Sequence, residues 1–352
     1  MLELDGSLGE GGGQILRTSL ALSLLTGKPF HLFNLRAGRA KPGLQPQHLM
    51  SVRAAAAIGQ ANMRGASKDS PDLVFEPGQV SAGRYHFPIG TAGATGLVLQ
   101  TVYLPLALRG EGPSELILEG GTHVSTSPCF HFLDTTWRAY MELLGIDVRL
   151  KMIRPGFYPR GGGRVDVTVQ PVKKLRGLRL PERGEPKTVT GISAVAGLPE
   201  EIAQRQARRA LNRLKDTGLR VNIREETWPG GPGTVLTLTL DTQPAPTMFF
   251  GLGARGKRAE RVADEAVDQV LSYLAGLRAL GDLPQPGSPT TLDPHSADQI
   301  VLPLALADGP SEFTVSEVTS HLLTNIAVIR RFVEREIICE GEGGAPGTVR
   351  IG

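Results

Sequence analysis

Apolar residues recur along this chain with two periods, and the switches between them outline its elements. TVLTLTLD, at 234–241, alternates apolar and polar positions strictly and predicts a half-buried strand. PEEIAQRQARRALNRLKD predicts a helix whose stripe is Ile202, Ala210, Leu211 and Leu214. GKRAERVADEAVDQVLSYLAG predicts another, with a stripe running from Val262, Ala266 and Val267 through Val270 and Leu271 to Leu274. TVTGISAVAG and LRVNIREE, on either side of the first of these helices, read as strands. Elsewhere glycine-rich runs stand directly before apolar periodic stretches, as in GEGGGQ at 9–14, GTAGATG at 90–96 and FGLGARGK at 250–257. That order reads as strand or loop, glycine turn, then helix start.

The pattern repeats. LPLALRGEGPSEL at 104–116 matches LPLALADGPSEF at 302–313 with one gap, and LALSLLTGKPF at 20–30 is a looser echo. In each, a helix ends in a Gly/Pro turn and leads into a strand-like run: HLFNLRAG, ELILEGG or EFTVSEV. Three copies of one αβ unit predict an α/β (α+β) protein with several sheets better than a single doubly wound sheet does. Between the second and third copies the texture changes, and the Pro/Gly-rich segments PERGEPK and LPQPGSPTTLDP flank the change. The expected organisation is a large domain of residues 1–183 and 288–352, with a small α/β domain of residues 184–287 inserted into the last repeat.

Composition narrows the function classes. The 352 residues allow two domains, and 40% hydrophobic residues allow a sizeable core. Only 5% are aromatic, so that core is expected to be aliphatic and base stacking is not a general theme. A net charge of +3 permits an anionic partner without marking a nucleic-acid scaffold. Two cysteines, Cys129 and Cys339, offer neither a disulfide framework nor a CxxC metal motif. The N-terminus lacks a basic segment and an apolar run, and no window is long and apolar enough to span a bilayer. A cytoplasmic protein without membrane contact is expected.

Several segments could carry chemistry, each beside a plainer role. GEGGGQILRTS would present free backbone N–H groups at a helix start to a phosphate, with Arg17 one turn in and Glu10 able to hold a cation through oxygen; it could equally be a tight turn. LRAGRAKPGLQPQH gathers Arg36, Arg39 and Lys41 ahead of a helix starting near Pro46, where guanidinium forks and Gln47 could clamp a phosphate, or simply form a solvated basic loop. TSHLLTNIAVIRRF places His321 at a helix start, whose positive end favours a neutral, nucleophilic imidazole; next to an apolar stripe it could instead be structural. In HSADQIVLPLAL, Asp298 and Gln299 could read a nucleotide or hold a metal, while the plainer role for Asp298 is a helix N-cap. Gln100 is the polar residue of an apolar helix and either satisfies a buried group or faces a ligand. Arg205, Arg209 and Arg213 recur every four residues and would track an RNA backbone or form a solvated face.

Taken together, LDGSLGEGGGQILRTSLALS, LRAGRAKPGLQPQHL, IGTAGATGLVLQTV, GFYPRGGGRV, ADQIVLPLAL and SHLLTNIAVIRRF resemble, in order and from residue 4 to 332, the RNA 3′-terminal phosphate cyclase family. The resemblance implies repeated αβ units with four-stranded sheets and a smaller inserted α/β domain. It implies that His321 is the histidine that becomes adenylylated and that Glu10 binds Mg²⁺ or Mn²⁺. It assigns Arg17, Arg36, Arg39 and Gln47 to the phosphates and the RNA end. Gln100 and the run His295, Ser296, Ala297, Asp298 and Gln299 are assigned to ATP. Relatives often carry tyrosine where His295 stands, and Pro155 replaces the Arg or His usually written before GFYP, in a loop read as structural.

The implied activity is ATP-dependent conversion of an RNA 3′-phosphate into a 2′,3′-cyclic phosphate, through a histidine–AMP intermediate and an RNA–pp–A anhydride. Its partners would be ATP and RNA bearing a 3′-phosphate, and a homodimer is left open. Two alternatives share the architecture. A non-catalytic paralogue acting in ribosomal RNA processing would lack the histidine that is present here. An enolpyruvyl transferase would leave SHLLTN and RAGRAKPG without a purpose. A pure RNA-binding protein fits poorly with the modest charge and few aromatics.

Overall fold

The computed structural model describes residues 1–180, 186–279 and 291–352. Its first unit runs β1 (Leu2–Asp5), α1 (Gly13–Thr26), β2 (Phe30–Phe33), α2 (Pro46–Gly59), β3 (Asn62–Arg64) and β4 (Leu73–Glu76). The strand order is β1-β2-β4-β3, with β1 and β2 parallel and the other pairs antiparallel. A parallel pair needs a crossover, and α1 supplies it. Gly27 ends α1 with φ 72°, the left-handed turn that lets the chain drop into β2.

The second unit repeats this plan with β5 (Arg84–Pro88), α3 (Thr95–Arg109), β6 (Ser114–Gly120), β7 (Val148–Arg154) and β8 (Gly163–Val169), in the order β5-β6-β8-β7. Its second helix is broken into α4 (Phe130–Phe132) and α5 (Arg138–Leu144) by a π-helical turn at Leu133–Trp137.

The next sheet departs from the plan. β9 (Thr188–Ala196), α6 (Glu201–Leu214) and β10 (Arg220–Trp228) form a parallel crossover, followed by β11 (Gly233–Leu240), β12 (Thr247–Leu252) and α7 (Ala259–Ala279). Its order is β10-β9-β11-β12.

The last unit returns to the plan: β13 (Thr291–Leu292), α8 (Pro294–Ala305), β14 (Ser311–Val315), α9 (Ser320–Phe332), β15 (Ile337–Glu340) and β16 (Gly347–Ile351), ordered β13-β14-β16-β15. Three βαβαββ units with four-stranded sheets are therefore present, and the echoes LALSLL, LPLALR and LPLALA end their first helices α1, α3 and α8. The domain edges expected at 183/184 and 287/288 lie outside the described residues.

One core runs through all three repeats, joining Leu20 and Phe30 to Val102 and Leu116 and on to Ile300 and Phe313. The β9–β12 sheet with α6 and α7 has its own core around Leu236, Leu238, Val262 and Val270. There the α7 stripe falls as read, with Val262, Ala266, Val267 and Val270 buried, but the α6 stripe holds only at Ala210 and Leu214. Its buried face is Ala203, Gln206, Ala207, Ala210 and Leu214, while Leu211 is 40% exposed. Small alanines let α6 approach the sheet closely, and buried Gln206 is satisfied by Ser193 and Thr234. The opposite face carries Arg205, Arg209 and Arg213, paired with Glu260, Asp264 and Asp268 of α7. Those guanidiniums link two helices and are not free for a phosphate backbone. Among the described residues no helix is long and apolar enough to cross a membrane.

Candidate active site

The glycine run at the head of α1 is shaped by what approaches it. Gly9 and Gly11 have φ 59° and 57°. A Cβ on Gly9 would meet Thr324 Oγ1 of α9 at 2.3 Å, and one on Gly13 would meet His48 Nε2 of α2 at 2.3 Å. Helices from the first and third repeats thus converge on this turn, which carries Glu10 between them.

Thr319 caps α9, its Oγ1 accepting from Leu322 N at 2.9 Å and donating to Asp298 Oδ1 at 2.7 Å. This sets His321 one residue into the helix. Its Nε2 lies 3.1 Å from Glu10 Oε2, and its Nδ1 lies 3.5 Å from Asp298 Oδ2. Glu10 also accepts from Ser320 Oγ at 2.5 Å and Arg39 Nη2 at 3.1 Å. Asp298 is 8% exposed and held from behind, where Asn325 Nδ2 donates to its carbonyl and Thr18 donates to Asn325 Oδ1.

These carboxylates reverse the expectation of a neutral ring. Asp298 first, and Glu10 after it, raise the His321 pKa above 6.5 despite burial. Two formal charges close to the ring outweigh the fractional charge of a helix end. Glu10 is held below its ordinary value, mainly by the Ser320 hydroxyl and then by His321 and Arg39.

Asp298 is not an N-cap. The cap of α8 is Asp293, whose Oδ1 accepts from Ser296 N at 3.0 Å and whose Oδ2 accepts from Ser296 Oγ at 2.5 Å. Burial of Asp293 pushes its carboxyl upward. With the helix starting at Pro294, the residues at i, i+3, i+4 and i+7 from His295 share one face. His295, Asp298, Gln299 and Leu302 accordingly line a cavity of ≈ 420 Å³ together with Arg17, Gln100 and His321. Ser296 is occupied by the cap, and Ala297 is fully buried at 0% exposure; neither lines that cavity. Gln100 donates through Nε2 to Gln299 Oε1 across it. The volume suits a small ligand, and Phe250 and Gln269 of the β9–β12 unit close one side.

Beside the histidine stands an uncompensated cationic group. Arg17 and Arg36 pair with no carboxylate among the described residues. Burial first and Arg36 second bring Arg17 down to about 10. Arg36 takes a left-handed φ of 56°, donates to Lys41 O at 3.1 Å, and buries its Nε without a partner. Like charges left facing one another make a ready anion site. Gln47, next to His48 in the first turn of α2, accepts from Ala94 N at 2.9 Å and so ties in the 91–94 loop.

Among the described residues no group of three or more His, Cys, Asp and Glu side chains forms a metal cage. Glu10 offers one half-exposed carboxylate with replaceable partners, which fits a cation drawing its other ligands from phosphate and water. Sequence reasoning missed Thr319, Ser320, Gln14, whose Nε2 donates to His321 O at 2.5 Å, and Asn325. The signal available for Thr319 was its N-cap position before SHLL. Phe250 and Gln269, far along the chain, left none.

Fold and site together define an enzyme of βαβαββ repeats, with a histidine between two carboxylates at the meeting point of the first and third repeats. The family model described as RNA 3′-terminal phosphate cyclase matches residues 8–339. The chain belongs to the RNA 3′-terminal phosphate cyclase family. It is 42% identical over 344 residues to the RNA 3′-terminal phosphate cyclase of Caldivirga maquilingensis, covering 96% of this chain and 94% of that protein. Similar relatives of the same name occur in Salmonella agona, 40% identical over 95% of this chain and 92% of that protein. Another is found in Nostoc punctiforme, 42% identical over 94% of each.

Proposed function

We propose that this chain converts RNA 3′-phosphate ends to 2′,3′-cyclic phosphates at the expense of ATP, with His321 as the covalent nucleophile. The observation that carries the reading is the position of His321 in the wall of a nucleotide-sized cavity, between Asp298 and Glu10 and beside unpaired arginines. Asp298, on the Nδ1 side, orients the ring and leaves Nε2 to act.

Nε2 sheds its proton and attacks the α-phosphorus of ATP as pyrophosphate leaves, giving a histidine–AMP phosphoramidate. Gln100, His295 and Gln299 hold the nucleoside. A divalent cation at Glu10 and the phosphate oxygens would offset charge on the triphosphate. The RNA 3′-phosphate, gripped by Arg17, Arg36, Arg39 and Gln47, then displaces His321 from AMP and becomes a pyrophosphate-linked RNA–adenylate. Finally the adjacent 2′-OH attacks the activated 3′-phosphorus and AMP departs; this step is intramolecular and gains from proximity. The same reading divides the chain into a catalytic part, residues 1–183 and 288–352, and an inserted part, residues 184–287, that covers the nucleotide.

Incubation with α-labelled ATP and Mg²⁺ or Mn²⁺, followed by denaturation, should leave acid-labile, alkali-stable label on the protein. Absence of label from the native protein, or undiminished label on His321→Ala, would overturn the proposal.

A further inference from the structure

The segment Gly156–Arg164 carries two neighbouring aromatic residues with opposite fates. Phe157 is 5% exposed, stacks on His123 with ring centroids 5.1 Å apart, and fills the space a Cβ on Gly233 would need. This end of the loop is structural, as expected. Tyr158 is 76% exposed, the highest value among the exposed large hydrophobic side chains of the described residues. Arg160, on the same turn, makes no ion pair among the described residues. Arg154 donates from Nε to Gly162 O of the same segment at 2.5 Å and, among the described residues, also has no carboxylate partner.

The turn meets, through backbone, the loop that packs on Gln47, a residue the proposed function assigns to the RNA end. Gly161, with φ 66°, lies on the 91–92 backbone so closely that a Cβ would stand 2.7 Å from Thr91 O and 2.8 Å from Ala92 Cα. One residue further on, Gly93 packs against Gln47, where a Cβ would be 2.9 Å from Gln47 Cβ. A continuous line of contacts therefore leads from Gln47, over the 91–94 loop, to the Tyr158–Arg160 turn.

We infer that Tyr158 and Arg160 form a platform for the single-stranded RNA nucleotides on the 5′ side of the reacting phosphate, the ring stacking on a base and the guanidinium meeting the backbone. The inference rests on the proposed activity. With the 3′-phosphate held by Arg17, Arg36, Arg39 and Gln47, any chain leaving the pocket is 5′ to it. A single exposed ring flanked by unpaired guanidiniums suits an unstacked, single-stranded base and gives binding that tolerates any sequence.

The test compares a nucleoside 3′-phosphate with a longer 3′-phosphorylated single-stranded oligoribonucleotide. Self-labelling by ATP, which needs no RNA, serves as the readout of an intact active site. In Tyr158→Ala the KM for the longer RNA should rise about 5- to 100-fold, the loss of one base stack, while the KM for the nucleoside 3′-phosphate moves far less. Tyr158→Phe should restore the difference. Arg160→Ala should lower the salt dependence of binding of the longer RNA by about 0.7 in the log–log slope. An unchanged KM for the longer RNA in both alanine variants, or an equal rise for both substrates, would overturn the inference. If the native protein does not label with ATP, the proposed activity fails on its own account. Fluorescence anisotropy with the longer oligonucleotide then decides the platform, since equal affinity of native and Tyr158→Ala protein would reject it.

Discussion

His48 and His321 occupy corresponding helices, α2 of the first repeat and α9 of the third, and both stand in the first turn. Their proton affinities run in opposite directions. His48 is buried, accepts from Gln45 N at 3.2 Å through Nδ1, and is pushed down to about 3 by burial and then by Arg17 and Arg36. His321 is half-exposed and raised above 6.5 by Asp298 and Glu10. The helix start is common to both, so it cannot be what separates them. The surroundings decide: burial, with Arg17 and Arg36 of the same repeat, lowers His48, while Asp298 of the same repeat and Glu10, from the turn before α1, raise His321. Duplicated scaffolds have thus been given different work: a neutral histidine under a cationic anion pocket in the first repeat, and a carboxylate-framed ring in the third.

The comparison breaks most completely if His321 is dispensable. His321→Ala should abolish ATP self-labelling, measured after denaturation. Next in size, Asp298→Asn should reduce the labelling rate by about 10²–10⁴-fold by freeing the ring and its tautomer, the range seen when a histidine's carboxylate partner is neutralised. The same variant should lower the His321 pKa in an NMR titration; an unchanged pKa would mean that Asp298 is not the group holding the proton. In the native protein the labelling rate should rise with pH through a value above 6.5, because Nε2 must be free to attack.

Two smaller effects address His48. Gly13→Ala would force a Cβ into the His48 ring and should cost about 1–3 kcal/mol, read as a lower denaturant midpoint. The pH dependence of stability supplies the sign. His48 binds its proton less readily folded than unfolded, so its contribution is present above pH 6.5 and is lost as pH falls from 6.5 toward about 3. The slope from one such group is about 1.4 kcal/mol per pH unit, and His48→Gln should flatten the acid limb by that amount. His321 works the other way: its contribution is complete below pH 6.5 and is lost as pH rises through its raised value. An identical acid limb in His48→Gln and native protein would remove the contrast.

Much of the fold was legible before any coordinates. The LPLAL…GPSE echo marks two first-helix ends cleanly, because a helix stop followed by a core strand constrains both composition and spacing. The first repeat is a looser echo, since only the apolar pattern persists there. β12 went unread, as TMFFGL is short, lacks alternation and sits against a glycine run. The α6 stripe was misplaced because alanines carry the contact while Leu211 stays in water. In the site, the plainer role weighed for Asp298, a helix N-cap, belongs instead to Asp293, another carboxylate near the same helix start. A shift of the helix start changes which of Ser296, Ala297 and Asp298 face the cavity.

Periodicity, caps, glycine turns and repeat spacing are local, and the sequence by itself determined them: the helices, three sheet-forming repeats, and a glycine turn that carries Glu10. What only the tertiary structure decided is which charges meet. Glu10 and His321 are 311 positions apart in the chain, yet their side chains lie within 3.1 Å. Arg205, Arg209 and Arg213 read in sequence as a solvated face or an RNA track and are satisfied by α7, whereas Arg17 and Arg36 find no carboxylate among the described residues. The physical reason is that a pKa, or the availability of a guanidinium, depends on groups within a few ångströms. In this fold those neighbours are brought partly by packing within a unit, as with Asp298 and His321, and partly by the packing of the first repeat against the third, as with Glu10 and His321.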